Sequence, residues 1–333
     1  MTRAYRISVT GNAPGGLPAD IAFMLLGREP DQICAVRKFP FLGPWGTGGR
    51  NDLSAPEEVD IPAYLDLVYL SAAEKKFYAV ESALNHEKLV QMLTSYQEYE
   101  EIHMLHFIVG MAPYGKVAVW LYLPLRQYMA GWFHGQEIQV DMEDFFPNNP
   151  DYPLPELCDY FMSISDAPEF GQRKGELPPP DYFEKLMSQY TYRYVIAPET
   201  QATDVVIHEQ LYDGTFDKTN DDRLRQYHEA AKPKQIAVKW RDGNNELSAY
   251  FWLNAQDVTP VFDRFYGAHH DTKADFIISI DAKNRKYGLS LYRQGLKEPV
   301  PLPESAYQLI VFRNRFEDYR SANYSQPRGA WDW

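Results

Sequence analysis

An order of segments readable between Leu65 and Tyr122 recurs between Ile236 and Tyr292, and this repetition limits the folds open to the chain more than any single motif does. In the first stretch Leu65, Leu67 and Tyr69 alternate with their neighbours as a strand does, and the polar run Ser71 to Lys76 supplies a turn. Phe77 to Leu84 is extended again. Asn85 then has the chemistry of a helix cap, Glu87 suits the first turn, and Leu89, Met92, Leu93 and Tyr96 fall on one helical face. Two further strands, from Phe107 to Met111 and from Lys116 to Tyr122, flank Ala112-Pro-Tyr-Gly115, which has turn chemistry.

The second stretch repeats this order. Ile236, Val238 and Trp240 alternate with polar or small neighbours, Asp242-Gly-Asn-Asn245 predicts a hairpin turn, and Leu247 to Leu253 forms the next strand. A helix follows with Val258, Val261, Phe262 and Phe265 on its apolar face. Proline is tolerated in a first turn, so Pro260 makes Asp257 the expected cap rather than Asn254. The strands from Phe276 to Ile280 and from Tyr287 to Tyr292 close the copy around Asp281-Ala-Lys-Asn284. Phe107 to Tyr122 spans 15 positions and Phe276 to Tyr292 spans 16, an agreement that gene duplication explains.

The expected fold class is therefore α+β: two tandem copies of a ββαββ(β) unit, with antiparallel sheets backed by helices. Extended sequence continues each copy, Gln127 to Val140 in the first and Tyr307 to Phe316 in the second. Three prolines within Gly171 to Asp181 mark a hinge, since proline fits neither a helix interior nor a central strand. The expected domains are 1–170, with an acidic tail segment, and 171–333, a linker plus the second copy. Helices are expected near Tyr182–Tyr190 and Asp221–Ala231.

Charge narrows the choice of partner. A net charge of −13 disfavours nucleic acid and anionic membranes, which both reward Lys and Arg. Between Gln127 and Gln172 there is no Lys or Arg, yet the window holds nine carboxylates interleaved with aromatic rings. Asp141, Glu143, Asp144, Phe145, Phe146, Asp151 and Tyr152 form its candidate partner-binding set: carboxylates to steer a basic protein, and rings to supply contact area. A solvated connection is the plainer alternative for the same window. No apolar run of about 18 residues predicts a membrane span. The first ten residues alternate like a strand and show no apolar signal core, and Cys34 and Cys158 have no metal-type spacing. Free, buried thiols and a cytoplasmic protein are expected.

Several constellations have the look of active sites. The glycine-rich run Gly43 to Arg50 lacks the Lys-Ser/Thr pair of a phosphate loop and reads as an aromatic-anchored loop. His269-His270-Asp271 reads as a solvated loop, because adjacent residues in a strand point to opposite faces. His103 and His106 read as ordinary polar positions at a helix-to-strand junction. Neither Gly-x-Ser-x-Gly, His-Glu-x-x-His nor Cys-x-x-Cys occurs, so no catalytic, cofactor or metal residue is assigned.

The run Phe39-Pro-Phe-Leu-Gly-Pro-Trp-Gly46, with Tyr69-Leu-Ser71, Glu74-Lys-Lys-Phe-Tyr78 and Val109 to Trp120, resembles the bacterial "domain of unknown function 2931" family. Many members of that family look like lipoproteins, and this chain shows no such start. The resemblance implies an immunity protein paired with a toxic effector of the type VI secretion system, and it implies no catalytic residue. The expected function is a non-catalytic cytoplasmic protein that neutralises or chaperones an effector with a basic contact surface. The alternative is an enzyme or small-molecule-binding protein with a pocket between the two copies.

Overall fold

A strand buried along most of its length needs cover on both faces, and the two strands after the first helix are of this kind. The structure, a computed structural model, describes residues 4–27, 43–48, 53–54, 59–96, 102–165, 175–198, 202–219, 222–269, 271–281 and 283–313. Two compact units divide the chain, Met1–Phe183 and Glu184–Trp333.

The first unit runs β1 (Arg6–Asn12), β2 (Ala19–Gly27), β3 (Leu53–Ser54), β4 (Tyr64–Ser71), β5 (Lys76–Ala83), α1 (His86–Thr94), β6 (Met104–Ala112), β7 (Lys116–Leu123), β8 (Arg126–His134), β9 (Gln136–Ile138), α2 (Met142–Phe145) and α3 (Leu154–Ile164). One sheet has the order β8-β7-β6-β1-β3, with β1 parallel to β6 and the other pairs antiparallel. The other is fully antiparallel, β2-β4-β5-β9. Alternate residues of both sheets, among them Leu65, Leu67, Tyr69, Phe107, Val109, Val117 and Val119, meet in one core. Asn85 caps α1, its Oδ1 accepting from Lys88 N at 2.9 Å, and the helix adds Leu89 and Leu93 to that core.

The second unit begins with most of α4 (Tyr182–Met187). It continues through β10 (Tyr190–Pro198), β11 (Thr203–Leu211), β12 (Phe216–Asp217), β13 (His228–Ala230), β14 (Pro233–Asp242), β15 (Asn245–Leu253), α5 (Ala255–Tyr266), β16 (Ala274–Ile280), β17 (Tyr287–Tyr292), β18 (Val300–Pro301) and β19 (Tyr307–Arg313). Its sheets are β13-β10-β16-β17-β18, with β10 parallel to β16, and β12-β11-β14-β15-β19. Ile236, Val238, Ala249, Phe251, Phe276 and Ile278 share its core with Val258, Val261, Phe262 and Phe265 of α5.

The expected α+β class is corrected by this arrangement. The molecule is mostly β, and its sheets do not rest on a layer of helices. In each unit the hairpin before one helix, α1 or α5, and the hairpin after it belong to different sheets, packed face to face, and that helix carries the chain from one to the other. Hairpin turns show which strands are neighbours in sequence, and nothing local shows which sheet a hairpin joins. The parallel pairs β1/β6 and β10/β16 close long loops and carry no turn signal at all.

Smaller expectations change for local reasons. Asn254, not Asp257, caps α5: its Oδ1 accepts from Gln256 N at 3.0 Å, and Pro260 lies inside the helix. The expected helix at Tyr182–Tyr190 stops at Met187, where Tyr190 opens a strand. Within Asp221–Ala231 the described residues make a single 3-10 turn, Asp222–Arg225, and then β13. No described helix is long and apolar enough to cross a membrane.

Candidate protein-binding face

The acidic window folds onto the antiparallel sheet of the first unit. Proline at positions 153 and 155 suits the start of α3, where backbone N–H groups lack intrahelical acceptors, and Glu156 complements the positive helix end. Helical spacing then turns Leu157, Cys158 and Phe161 inward. They pack with Phe145 of α2 against Leu70, Ala72 and Phe77, forming a second small core. Phe145 is 1 % exposed and meets Phe77 edge-on at 4.9 Å. Burial pushes the Cys158 thiol up to about 11. Cys34 lies outside the described residues.

The opposite side of α3 faces solvent. Glu156, Tyr160 and Ile164 follow at four-residue spacing on one ridge, with Tyr160 54 % and Ile164 43 % exposed. Around it Asp141, Glu143, Asp144, Asp151 and Asp159 are exposed, and Phe146 and Tyr152 are half-buried, their rings 6.3 Å apart. Lys75 reaches Asp159 at 2.8 Å and Lys76 reaches Glu137 at 2.7 Å, both at the surface. No described cation pairs with Asp141, Glu143, Asp151 or Glu156. Of the seven predicted contact residues, six therefore reach the surface and Phe145 belongs to the core. Tyr160 and Ile164 were missed, although the helical spacing of Leu157, Cys158 and Phe161 already places them on the outer side.

The residues that carry the family resemblance converge elsewhere. Trp45 and Trp120 are fully buried and meet edge-on at 5.0 Å, with Phe183 5.7 Å from Trp45. The loop bearing Trp45 is held on the outer face of β1 and β8. Asn12 Nδ2 donates to Pro44 O at 3.0 Å, Gly46 N donates to Asn12 Oδ1 at 3.1 Å, and Gln127 Nε2 donates to Gly46 O at 2.6 Å. Glu74 accepts from Tyr78 Oη at 2.8 Å and from Tyr114 N at 2.9 Å, while Tyr69 Oη donates to Ala112 O at 2.7 Å. These motifs hold two sheets and a loop together. Gly43 to Gly48 forms an aromatic-anchored turn, and Gly49 and Arg50 lie outside the described residues.

The second unit buries a polar cluster that spacing alone did not suggest. Glu209 shares the inward register of β11 with Ile207 and Leu211. Its Oε2 accepts from Tyr194 Oη at 2.9 Å, and its Oε1 lies 3.5 Å from His228 Nε2. Burial opposes charge on His228, but attraction to Glu209 outweighs it and raises the imidazole above its usual value. Lys232 is also fully buried; burial lowers its amine to about 8, and Nζ donates to Lys185 O at 2.7 Å. A carboxylate at an inward strand register was the legible sign of this cluster. His106 Nδ1 sits 3.1 Å from Ser8 Oγ, His103 and His269 are exposed, and His270 lies outside the described residues. Among the described residues no three His, Cys, Asp or Glu side chains group as metal ligands.

No curated protein and no solved structure matches the chain. The model of the family described as "Protein of unknown function (DUF2931)" matches residues 3–167, so this stretch of the chain is similar to that family.

Proposed function

We propose that the chain is a non-catalytic protein whose α2–α3 face binds a basic protein partner. The observation that carries this reading is the Glu156–Tyr160–Ile164 ridge, an exposed ring and aliphatic group set among exposed carboxylates on a helix anchored from below. Carboxylates would steer the encounter, and Tyr160 with Ile164 would supply the desolvated contact. On this reading the partner is a toxic effector, bound and neutralised in the cytoplasm as a type VI secretion immunity protein would do. Co-purification with the product of the adjacent gene, with rescue of cells expressing that product, tests the proposal. Glu156→Lys combined with Tyr160→Ala should abolish the complex and leave the unfolding midpoint unchanged. Absence of both complex and rescue sinks it.

A further inference from the structure

At one end of the second unit, beside the β16–β17 turn, a cleft of about 480 Å³ is lined by Leu247, Lys283, Asn284, Arg285, Val311 and Arg313. Leu247 and Arg313 are directly opposed across the β15–β19 ladder, so both side chains leave the same face of that sheet. Leu247 is part of the core and Val311 packs against it, which sends Arg313 over the open end of the core. The facing wall is a braced turn. Asp281 Oδ1 accepts from the backbone N of Arg285 at 2.5 Å and of Lys286 at 2.8 Å, and Asn284, at φ 53°, donates through Nδ2 to Asp242 Oδ2 at 2.7 Å. The Oδ1 of Asn284 is buried without a hydrogen-bond partner.

Charge at this cleft runs against the rest of the chain. The protein carries −13 overall, yet three cations converge here and none pairs with a carboxylate among the described residues. Arg241, on the neighbouring β14–β15 hairpin, shows the contrast: Glu246 lies 3.1 Å and Asp204 3.5 Å from its guanidinium. Three like charges held on a braced turn and an adjacent strand repel one another, and an anion between them removes that cost. A carboxylate would be served by one forked arginine. Two guanidiniums and an ammonium on different walls suit a group with three charged oxygens.

We propose that this cleft binds a phosphate monoester, with Lys283, Arg285 and Arg313 on the phosphate oxygens and Leu247 and Val311 against the organic substituent. The same chemistry is available from a soluble ester or from a lipid headgroup. Calorimetric titration with glycerol 3-phosphate, with glycerol as the uncharged control, tests the site on the intact chain. Saturable binding of the ester alone is expected, weakened about tenfold by Arg285→Gln or Arg313→Gln. Arg241→Gln should bind as the parent does. Sedimentation with phosphatidylcholine vesicles, with and without phosphatidic acid (a lipid phosphate monoester), separates the sources. Retention on the anionic vesicles that depends on Arg285 assigns a headgroup, and binding of the soluble ester without retention assigns a free ligand. No saturable binding of ester or anionic vesicle at about 0.1 M salt, or equal binding by Arg285→Gln and Arg313→Gln, overturns the proposal. All three cations are solvent-exposed, so these variants should fold, and Lys283→Gln gives an independent third reading.

Discussion

Replacing Gly110 by alanine asks whether the Trp45–Trp120 pair is as closely packed as it looks. A Cβ at position 110 would lie 2.5 and 2.6 Å from ring atoms of Trp120 and 2.9 Å from Trp45. The Gly110 backbone is not in the left-handed region, so alanine meets no backbone penalty and any loss is steric. Both indoles are fully buried and the loop carrying Trp45 is pinned through Asn12 and Gln127, so neither ring can slide aside. Overpacking of a filled interior costs about 1–3 kcal/mol, and contacts to two rigid rings put Gly110→Ala near about 3 kcal/mol. With a urea m-value of about 2–3 kcal/mol/M, the unfolding midpoint should fall by about 1 M at unchanged m. Trp120→Phe deletes the nearer ring atoms. Combined with Gly110→Ala it should cost less than the two single losses added, by about 1–2 kcal/mol. Circular dichroism during urea unfolding reads all four proteins. A Gly110→Ala midpoint within about 0.2 M of the parent, or strict additivity in the cycle, refutes the packing argument.

Phe145 separates core from contact surface: Phe145→Ala should lower stability by about 3–5 kcal/mol in urea unfolding, whereas Tyr160→Ala should change it by less than about 0.5 kcal/mol. The His228–Glu209 pair predicts a pH dependence. The folded imidazole titrates above its unfolded value of about 6.5, so its contribution is complete below that pH and is lost as pH rises through the folded pKa. Urea midpoints at several pH values should therefore fall more steeply through that window in the parent than in His228→Gln, and parallel profiles would remove the pair from the account.

The sequence showed its local features well and its long-range ones badly. Turns at Ala112-Pro-Tyr-Gly115 and Asp242-Gly-Asn-Asn245 lie between paired strands, and the apolar faces of α1 and α5 point into the cores. These follow from neighbours within a few residues. The pairing of β1 with β6 follows from burial of both strands on two faces, which a one-dimensional pattern records only as a run of apolar residues. The Asp257 cap failed because the proline rule was weighed above the Asn254 side chain, although packing of α5 on the core tolerates the missing N–H of Pro260. Phe145 was misread because its neighbours Glu143 and Asp144 are exposed. The turn of α2 that buries the ring against Phe77 is too short to show a helical period.

Corresponding turns in the two units each bind a carboxylate from the other sheet, through different donors, and then diverge. In the first unit the β4–β5 turn offers Glu74 to the backbone of Tyr114, at φ 64° in the β6–β7 turn. In the second the β14–β15 turn offers Asp242 to the side chain of Asn284, at φ 53° in the β16–β17 turn. Each carboxylate latches one sheet to the other across the same end of its sandwich, through a residue whose left-handed backbone turns a donor inward. What surrounds the latch decides its use. Around Glu74 the space is filled: Tyr78 donates to the same carboxylate, and Tyr114 donates through its hydroxyl to Pro178 O at 2.7 Å. Around Asp242 the Tyr287 hydroxyl donates to Asn284 O at 2.8 Å, and the adjoining turn carries Lys283 and Arg285 into solvent. The same two-sheet frame is thus sealed where the family-like motifs sit and open where the cations gather, which is where a ligand can reach it.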